Sequence, residues 1–232
     1  MVYIMCMSAK IETFNITLAT KDSFRKNLST KKWIYEKLHL TMIEIEYKFK
    51  ISKDKIHSIE NRLMNLGFSS KGRFYEKTTM YDNTSKIMQK TNGRIRIRLI
   101  NNETVEFSYK NPLITHSGPK KEIEYEVVIN QDNAEVNLIN ILKMMNFKPT
   151  SSYERYRTTY SNGKVKVTID EFPFADFVEI EGDEDKVTDI AFKLQFNVKE
   201  HLNDPCDTLF SQWRKKKGLK PSNHMTFNDY DK

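Results

Sequence analysis

Glu44, Glu46 and Lys48 occupy every second position of the run Glu44-Ile45-Glu46-Tyr47-Lys48. Successive side chains of a strand point to opposite faces, so these three share one face, and Ile45, Tyr47 and Phe49 share the other. Two carboxylates and an ammonium in one row can hold a hard divalent cation together with an anion, because such cations take oxygen ligands. The pattern recurs downstream. Arg94, Arg96 and Arg98 oppose Ile95, Ile97 and Leu99; Glu106, Ser108 and Lys110 oppose Val105, Phe107 and Tyr109. Glu122, Glu124 and Glu126 oppose Ile123, Tyr125 and Val127, and Lys164, Lys166, Thr168 and Asp170 oppose Val165, Val167 and Ile169. Arg155 and Arg157 share a face, as do Glu179 and Glu181.

The bland reading is a two-faced antiparallel sheet, apolar side on helices and charged side in water. Cross-strand ion pairs would then add about 0.2–1 kcal/mol each. The make-up of the polar face argues against it. Nearly every polar-face position carries a full charge, and the signs are segregated by strand. A sheet closed on itself would turn these charges into a narrow lumen, where each buried ion costs several kcal/mol unless partnered. Such an arrangement suits a site completed by a charged ligand and metal ions.

Other chemistries find little support. The seven glycines are scattered, so no phosphate-cradling glycine loop or dinucleotide fingerprint exists, and any phosphate must be held by side chains. The histidines (His39, His57, His116, His201, His224) show no metal-ligand spacing and read as surface residues. Cys6 and Cys206 are too few for a disulfide framework or a zinc site, which points to a reducing cytoplasm. Oxygen ligands with many cations suit Mg²⁺ or Mn²⁺ and a polyanion.

Composition bounds the setting. A chain of 232 residues, 38% hydrophobic and 30% charged, is long enough for one well-cored domain. No apolar run approaches the roughly 20 residues that span a bilayer. The net charge is +7, and residues 1–41 hold seven Lys/Arg against three Asp/Glu, so this extension supplies +4 of it. It lacks an arginine-rich block, and nucleic-acid binding is not expected of it. The charge of the remainder is nearly balanced.

The elements that must position these rows follow from periodicity and turn chemistry. A short basic helix is expected over Phe24 to Leu38, and a strand over 43–51. A helix then runs from Lys53 to Leu66, with Ile56, Ile59, Leu63 and Leu66 at helical spacing. Strands are expected over 73–82, 94–99, 104–110 and 121–129, with turns at Asn92-Gly93 and Asn101-Asn102. A helix over 133–145 follows, then strands over 153–160, 164–170 and 177–181, with a hairpin turn at Asn162-Gly163. Two further helices are expected, over 185–194 and from Asp204-Pro205 to Gly218, the second with proline at its first position. Strands joined by tight turns are antiparallel. The reading is α+β: an antiparallel sheet or barrel of about eight strands with helices outside.

Glu44-Ile45-Glu46-Tyr47-Lys48 resembles the ExExK signature of the CYTH superfamily, the triphosphate tunnel metalloenzymes, which include class IV adenylyl cyclases, thiamine triphosphatases and inorganic triphosphatases. Further pieces follow in order between about 42 and 182. Ile95-Arg96-Ile97-Arg98 resembles the family's arginine strand, Tyr109-Lys110-Asn111-Pro112 a strand end where glycine is frequent at Asn111, and Lys121-Glu122-Ile123-Glu124 the next strand. Arg155-Tyr156-Arg157 stands where lysine is common at the first position, and Ile169-Asp170 and Val178-Glu179-Ile180-Glu181 resemble the closing acidic strands.

The resemblance implies a closed eight-stranded antiparallel barrel with helices packed outside. It divides the chain into a basic extension (1–41), a tunnel domain (42–200) and a C-terminal helix and tail (201–232). It also implies an enzyme that hydrolyses or rearranges a small triphosphate-bearing molecule with Mg²⁺ or Mn²⁺, without a membrane and with a homodimer left open. Glu44, Glu46 and Glu181 would hold one ion, with Glu179 and Asp170 nearby. Glu122 and Glu124 would place a second ion or orient the basic row. Lys48, Arg96, Arg98, Lys110, Arg155 and Arg157 would neutralise the phosphates, with Lys48, Arg98, Lys110 and Arg155 closest to the chemistry. Water attacking the terminal phosphorus gives a triphosphatase; a ribose 3′-hydroxyl attacking the α-phosphorus gives a cyclase. A non-catalytic polyphosphate or nucleotide binder would keep the arginines but have no need of the carboxylates.

Overall fold

The computed structural model describes residues 43–114 and 117–229. The helix expected over Phe24 to Leu38 lies outside these residues. Eight strands carry the architecture: β1 (Ile43–Ile51), β2 (Ser69–Asn83), β3 (Arg94–Ile100), β4 (Thr104–Pro112), β5 (Lys120–Ile129), β6 (Phe147–Ser161), β7 (Val165–Phe172) and β8 (Ala175–Gly182). Their order in the sheet is β2-β3-β4-β5-β1-β8-β7-β6, and β6 pairs back onto β2. Every pairing around this ring is antiparallel. The closed barrel thus matches the sequence expectation, and the long β2–β6 pairing that closes it is the part local periodicity underestimates. Both strands extend beyond the expected 73–82 and 153–160. A ninth, two-residue strand, β9 (His224–Met225), adds in parallel to β6.

The turns follow their residue chemistry. Asn101 and Asn102 adopt φ of 51° and 62°, the left-handed geometry asparagine tolerates, and reverse β3 into β4. In the β6–β7 hairpin Gly163 has φ 81°, and the Asn162 side chain accepts from the amides of Lys164 and Val165 at 3.0 and 2.9 Å. β7 therefore begins at Val165, and Lys164 belongs to the turn.

The apolar faces of the strands turn outward, and helices cover most of them, while Tyr125 and Val127 of β5 stay exposed. α1 (Ile56–Asn65) and α4 (Glu184–Lys193) bury Ile59, Leu63, Val187, Ile190 and Ala191 against Tyr47, Phe49, Val167, Ile169, Val178 and Ile180. Complete burial of a side chain such as Leu63 contributes about 1.5–3 kcal/mol. α3 (Ala134–Met144) covers Ile97 and Val105 through Leu142. α5 (Cys206–Lys216) packs Phe210 and Trp213 onto Phe172, Phe174 and Phe177. Pro205 sits at the N-cap of α5 rather than at the first helical position, and the helix ends at Lys216. The short α2 (Ile87–Thr91) escapes sequence reading because five residues are too few to show a period. No described helix is long and apolar enough to cross a membrane.

Candidate active site

With the apolar face turned outward, the alternate positions must point into the barrel. They line a cavity of about 410 Å³ bounded by nine Lys/Arg and ten Asp/Glu side chains. Strand order sorts them by sign. β6, β2 and β3 are adjacent and contribute Arg155, Arg157, Arg94, Arg96 and Arg98, with Glu76 between them. On the far side of the ring β5, β1 and β8 contribute Glu122, Glu124, Glu126, Glu44, Glu46, Glu179 and Glu181, with Lys48 and Lys120. A cationic wall thus faces an acidic one, with β4 and β7 joining them.

Burial makes pairing obligatory, since a buried ion without a partner costs several kcal/mol. Lys48, 4% exposed, lies 3.1 Å from Glu179. Glu46 accepts from Lys120 at 2.9 Å, and Lys120 also donates to Glu122 at 2.6 Å. Glu44 pairs with Lys110, Glu181 with Lys166 and Glu122 with Arg94. Lys110 also stands 3.1 Å from Glu124. Arg96 donates to Ser108 at 2.7 Å and reaches Glu106 and Glu124 at 3.3 and 3.5 Å. Arg98 lies 2.7 Å from Glu106 and 3.4 Å from Glu76. Arg157 grips Asp170 with a two-bond fork, Nε to Oδ1 at 2.6 Å and Nη2 to Oδ2 at 2.5 Å, and also reaches Glu179 at 2.5 Å. Arg155 donates to Asp170 at 3.0 Å and to Glu76 at 2.7 Å. Several of these contacts span an intervening strand, as Lys110 on β4 does to Glu44 on β1, which a narrow closed sheet permits.

The charges are held firmly. Burial pushes the Glu44 carboxyl up, but the Lys110 ammonium outweighs it and lowers the pKa to about 2. Burial likewise opposes ionisation of Glu179, yet Lys48, Arg157 and Arg155 hold it well below the usual carboxylate range. Glu181 moves the other way: burial and the neighbouring Glu44 raise it despite Lys166. The Tyr153 phenol, disfavoured as an anion by burial, is nonetheless drawn down by Arg96, Arg98 and Arg155.

All the residues named from the sequence face this lumen or, for the fully buried Asp170, the arginines lining it. The register places Glu46 opposite Glu181 and Glu44 opposite Glu122. Like charges directly across a strand pair repel, and each of these carboxylates is offset by a lysine or arginine. Among the described residues no three Asp, Glu, His or Cys side chains gather into a metal nest. The donor chemistry nevertheless fits Mg²⁺ or Mn²⁺: carboxylates face one another across adjacent strands, and the buried Thr168 hydroxyl, opposite Glu179, has no hydrogen-bond partner. Asp170 is turned to Arg155 and Arg157, whose guanidiniums it fixes.

Sequence reading missed several lumen residues. Glu76 lines the cavity and Thr78 lies buried behind it, accepting from Arg98 at 3.3 Å; both are on β2, whose opposite face carries Lys77 and Thr79, so alternation there is masked by polarity on both sides. Lys120 lies just outside the strand expected over 121–129 and is the first residue of β5. Tyr153 reads as an apolar position, yet lines the cavity. His201, expected on the surface, packs its ring edge-on against Tyr47 at 5.1 Å.

A family model described as the CYTH domain matches residues 42–205. Among solved structures, the chain is similar to a candidate adenylate cyclase from Vibrio parahaemolyticus (TM-score 0.63, 12% identity, covering 73% of this chain and 98% of that one). It is also similar to a protein from Pyrococcus horikoshii (TM-score 0.55, 23% identity, 70% and 96% covered). A third is a candidate adenylyl cyclase from Hippeastrum described as having a dominant triphosphatase activity (TM-score 0.50, 14% identity, 77% and 97% covered). At such identities the likeness speaks for the fold. No curated protein matches.

Proposed function

Given that the chain belongs to the CYTH domain family, we propose that it is a divalent-metal-dependent enzyme that hydrolyses a triphosphate inside the barrel. The observation that carries this reading is the opposition of an arginine wall and a glutamate wall across one lumen. The lumen's charges nearly cancel, so a polyanion of about four negative charges is accommodated only with added cations. Glu44, Glu46 and Glu181 are the residues to hold such an ion, with Glu122, Glu124 and Glu179 available to a second. A bound Mg²⁺ or Mn²⁺ supplies neutralisation of phosphate oxygens and a lowered pKa for an attacking oxygen.

The protein's own part is positioning. Lys110, Lys120 and Lys166, flexible point charges now on carboxylates, are free to turn to phosphate oxygens. Arg96, Arg98, Arg155 and Arg157 present fixed forks, held by Glu106, Glu76 and Asp170, toward charge that develops on the transferring group. Water attacks the terminal phosphorus, a new P–O bond forms, the bond to the bridging oxygen breaks, the diphosphate leaves with the electron pair, and the water's proton passes to the leaving diphosphate or to solvent. No protein nucleophile is required. Cyclisation of ATP by its own 3′-hydroxyl is the second reading, favoured by the two structural neighbours described as candidate cyclases.

The test is incubation of the purified protein with tripolyphosphate, thiamine triphosphate and ATP, each with Mg²⁺ or Mn²⁺. Phosphate release supports hydrolysis, and cyclic AMP supports the second reading. Anion binding without turnover under either metal sinks both. The double variant Glu44→Ala with Glu46→Ala is expected to lose metal-dependent turnover while remaining folded.

A further inference from the structure

On the outside of the barrel lies a cavity of about 490 Å³, between the end of β1, one side of α1 and the chain that follows α4. It shares no lining residue with the lumen. Its size falls within the roughly 300–1,000 Å³ of sites that take small molecules. The packing of α1 and α4 on β1 accounts for its back wall, where Phe49, Ile59 and Leu194 are buried. That packing does not account for the rim.

Three cations stand there, Lys50, Lys55 and Arg62. Lys55 and Arg62 are seven positions apart, two turns along the same side of α1. None of the three forms an ion pair with a described residue, and the Asp176 carboxyl on which Lys50 acts lies outside the lining. Arg62 donates from Nη1 to the Leu194 carbonyl at 3.1 Å, where α4 ends, which leaves its Nε and Nη2 edge for a ligand. The single acid of the lining, Glu200, accepts from Asn197 at 2.9 Å. An anion therefore meets three cations and one engaged carboxylate.

Lysines on an open helix face would be no more than a solvated surface. These border a cavity that also holds an aromatic pair. Phe49 and Phe196 stack with centroids 4.4 Å and planes 2° apart, and Phe196 is the ring left partly exposed. A flat ring placed on it would extend the stack, a favoured aromatic arrangement. Gln195, in the same lining, holds a φ of 67°, a left-handed geometry that helix ends usually give to glycine. Glutamine there costs stability and brings an amide to the cavity.

We propose that this cavity is a second binding site, for a small aromatic carboxylate whose charged group meets Arg62 and Lys55 and whose ring lies against Phe196. The planar guanidinium fork matches a carboxylate, and Lys55 adds a movable point charge. The site is independent of the triphosphate reading of the lumen.

Calorimetric titration of the whole chain with 2-naphthoate, its neutral analogue 2-naphthalenemethanol and the aliphatic hexanoate tests the assignment. 2-Naphthoate is expected to bind about tenfold or more tighter than either. Arg62→Gln should weaken 2-naphthoate by about tenfold. Lys55→Gln, at an exposed position, should weaken it by a smaller factor, and it decides the matter should loss of the Arg62 contact with α4 unfold the chain. No binding of 2-naphthoate, equal binding of the alcohol, or an unchanged affinity in the folded variants overturns the site. Hexanoate binding as tightly overturns the aromatic class. Tighter binding of an acidic tripeptide with a central phenylalanine overturns the small-molecule class and makes the cavity a dock for an acidic protein segment.

Discussion

Glu46 on β1 and Glu181 on β8 stand directly across from each other in an antiparallel pair, and both side chains line the lumen. Two carboxylates so placed repel unless a cation sits with them. Lys120 offsets one and Lys166 the other, from different strands.

A divalent ion held by this pair, as proposed above, would stabilise the folded state alone. At about one hundred times its Kd it adds about 2.7 kcal/mol, a rise in Tm of about 5–10 °C for a domain of this size. Thermal denaturation with and without Mn²⁺ is expected to show that rise for the wild type. Glu46→Gln and Glu181→Gln should each lose most of it. An equal rise in both variants would place the ion elsewhere.

Arg157 bridges Asp170, which is fully buried, and Glu179. Truncation to alanine leaves a buried charge short of its partner, which costs about 3–5 kcal/mol. Urea denaturation of Arg157→Ala should show a lower midpoint with an unchanged slope. Lysine cannot reproduce the two-bond fork, so Arg157→Lys is expected to recover only part of the loss.

Much of this site is legible because strand alternation is strict where one face is wholly charged. Arg94 to Leu99 and Glu122 to Val127 each declare two faces, and the structure turns both charged faces inward. What periodicity does not show is closure. The β2–β6 pairing joins residues such as Glu76 and Arg155, 79 positions apart, and nothing local marks it. β2 also carries polar residues on both faces, so Glu76 and Thr78 lack the apolar counterpoint that exposes the other rows. Tyr153 is hidden for the opposite reason: an aromatic in a strand reads as core, and only closure brings it beside Arg96 and Arg98. The partners of Asp170 are hidden in the same way: the resemblance places it near a metal site, and only the pairing of β6 with β7 shows Arg155 and Arg157 against it.

Glu76 lies between Arg98 and Arg155 on the cationic wall, and these guanidiniums hold its carboxyl far below the usual range despite burial. Its effect on a bound polyanion is indirect, through the aim of both arginines. Glu76→Gln keeps the shape but weakens the hold. Supporting contacts of this kind are worth about 10–100-fold in activity, and kcat is expected to fall more than KM rises. Steady-state kinetics on tripolyphosphate checks the split, and an unchanged kcat would remove Glu76 from the site.

Glu126 stands at the rim of the lumen beside Glu106 and Glu124, and burial followed by these two like charges raises its pKa to about 7. The carboxyl is protonated in the folded protein over a range where the unfolded chain has already lost the proton. The folded state therefore binds more protons between about pH 4.5 and pH 7, and stability falls as pH rises through that window. Ionisation forces a third negative charge onto a cluster served chiefly by Arg96, which reaches Glu126 at 3.8 Å. Glu126→Gln mimics the protonated form at every pH. Thermal scans from pH 5 to pH 8 should show its Tm declining less than that of the wild type, with the gap opening up to about pH 7 and levelling above it. Glu44 supplies the opposite sign as an internal control, because its pKa is lowered to about 2 and its contribution is lost as pH falls below about 4.5. The same scans extended to pH 3 should therefore leave Glu126→Gln and the wild type destabilised alike at the acid end. Parallel curves for the two proteins from pH 5 to pH 8 would mean that Glu126 is already ionised in the folded chain.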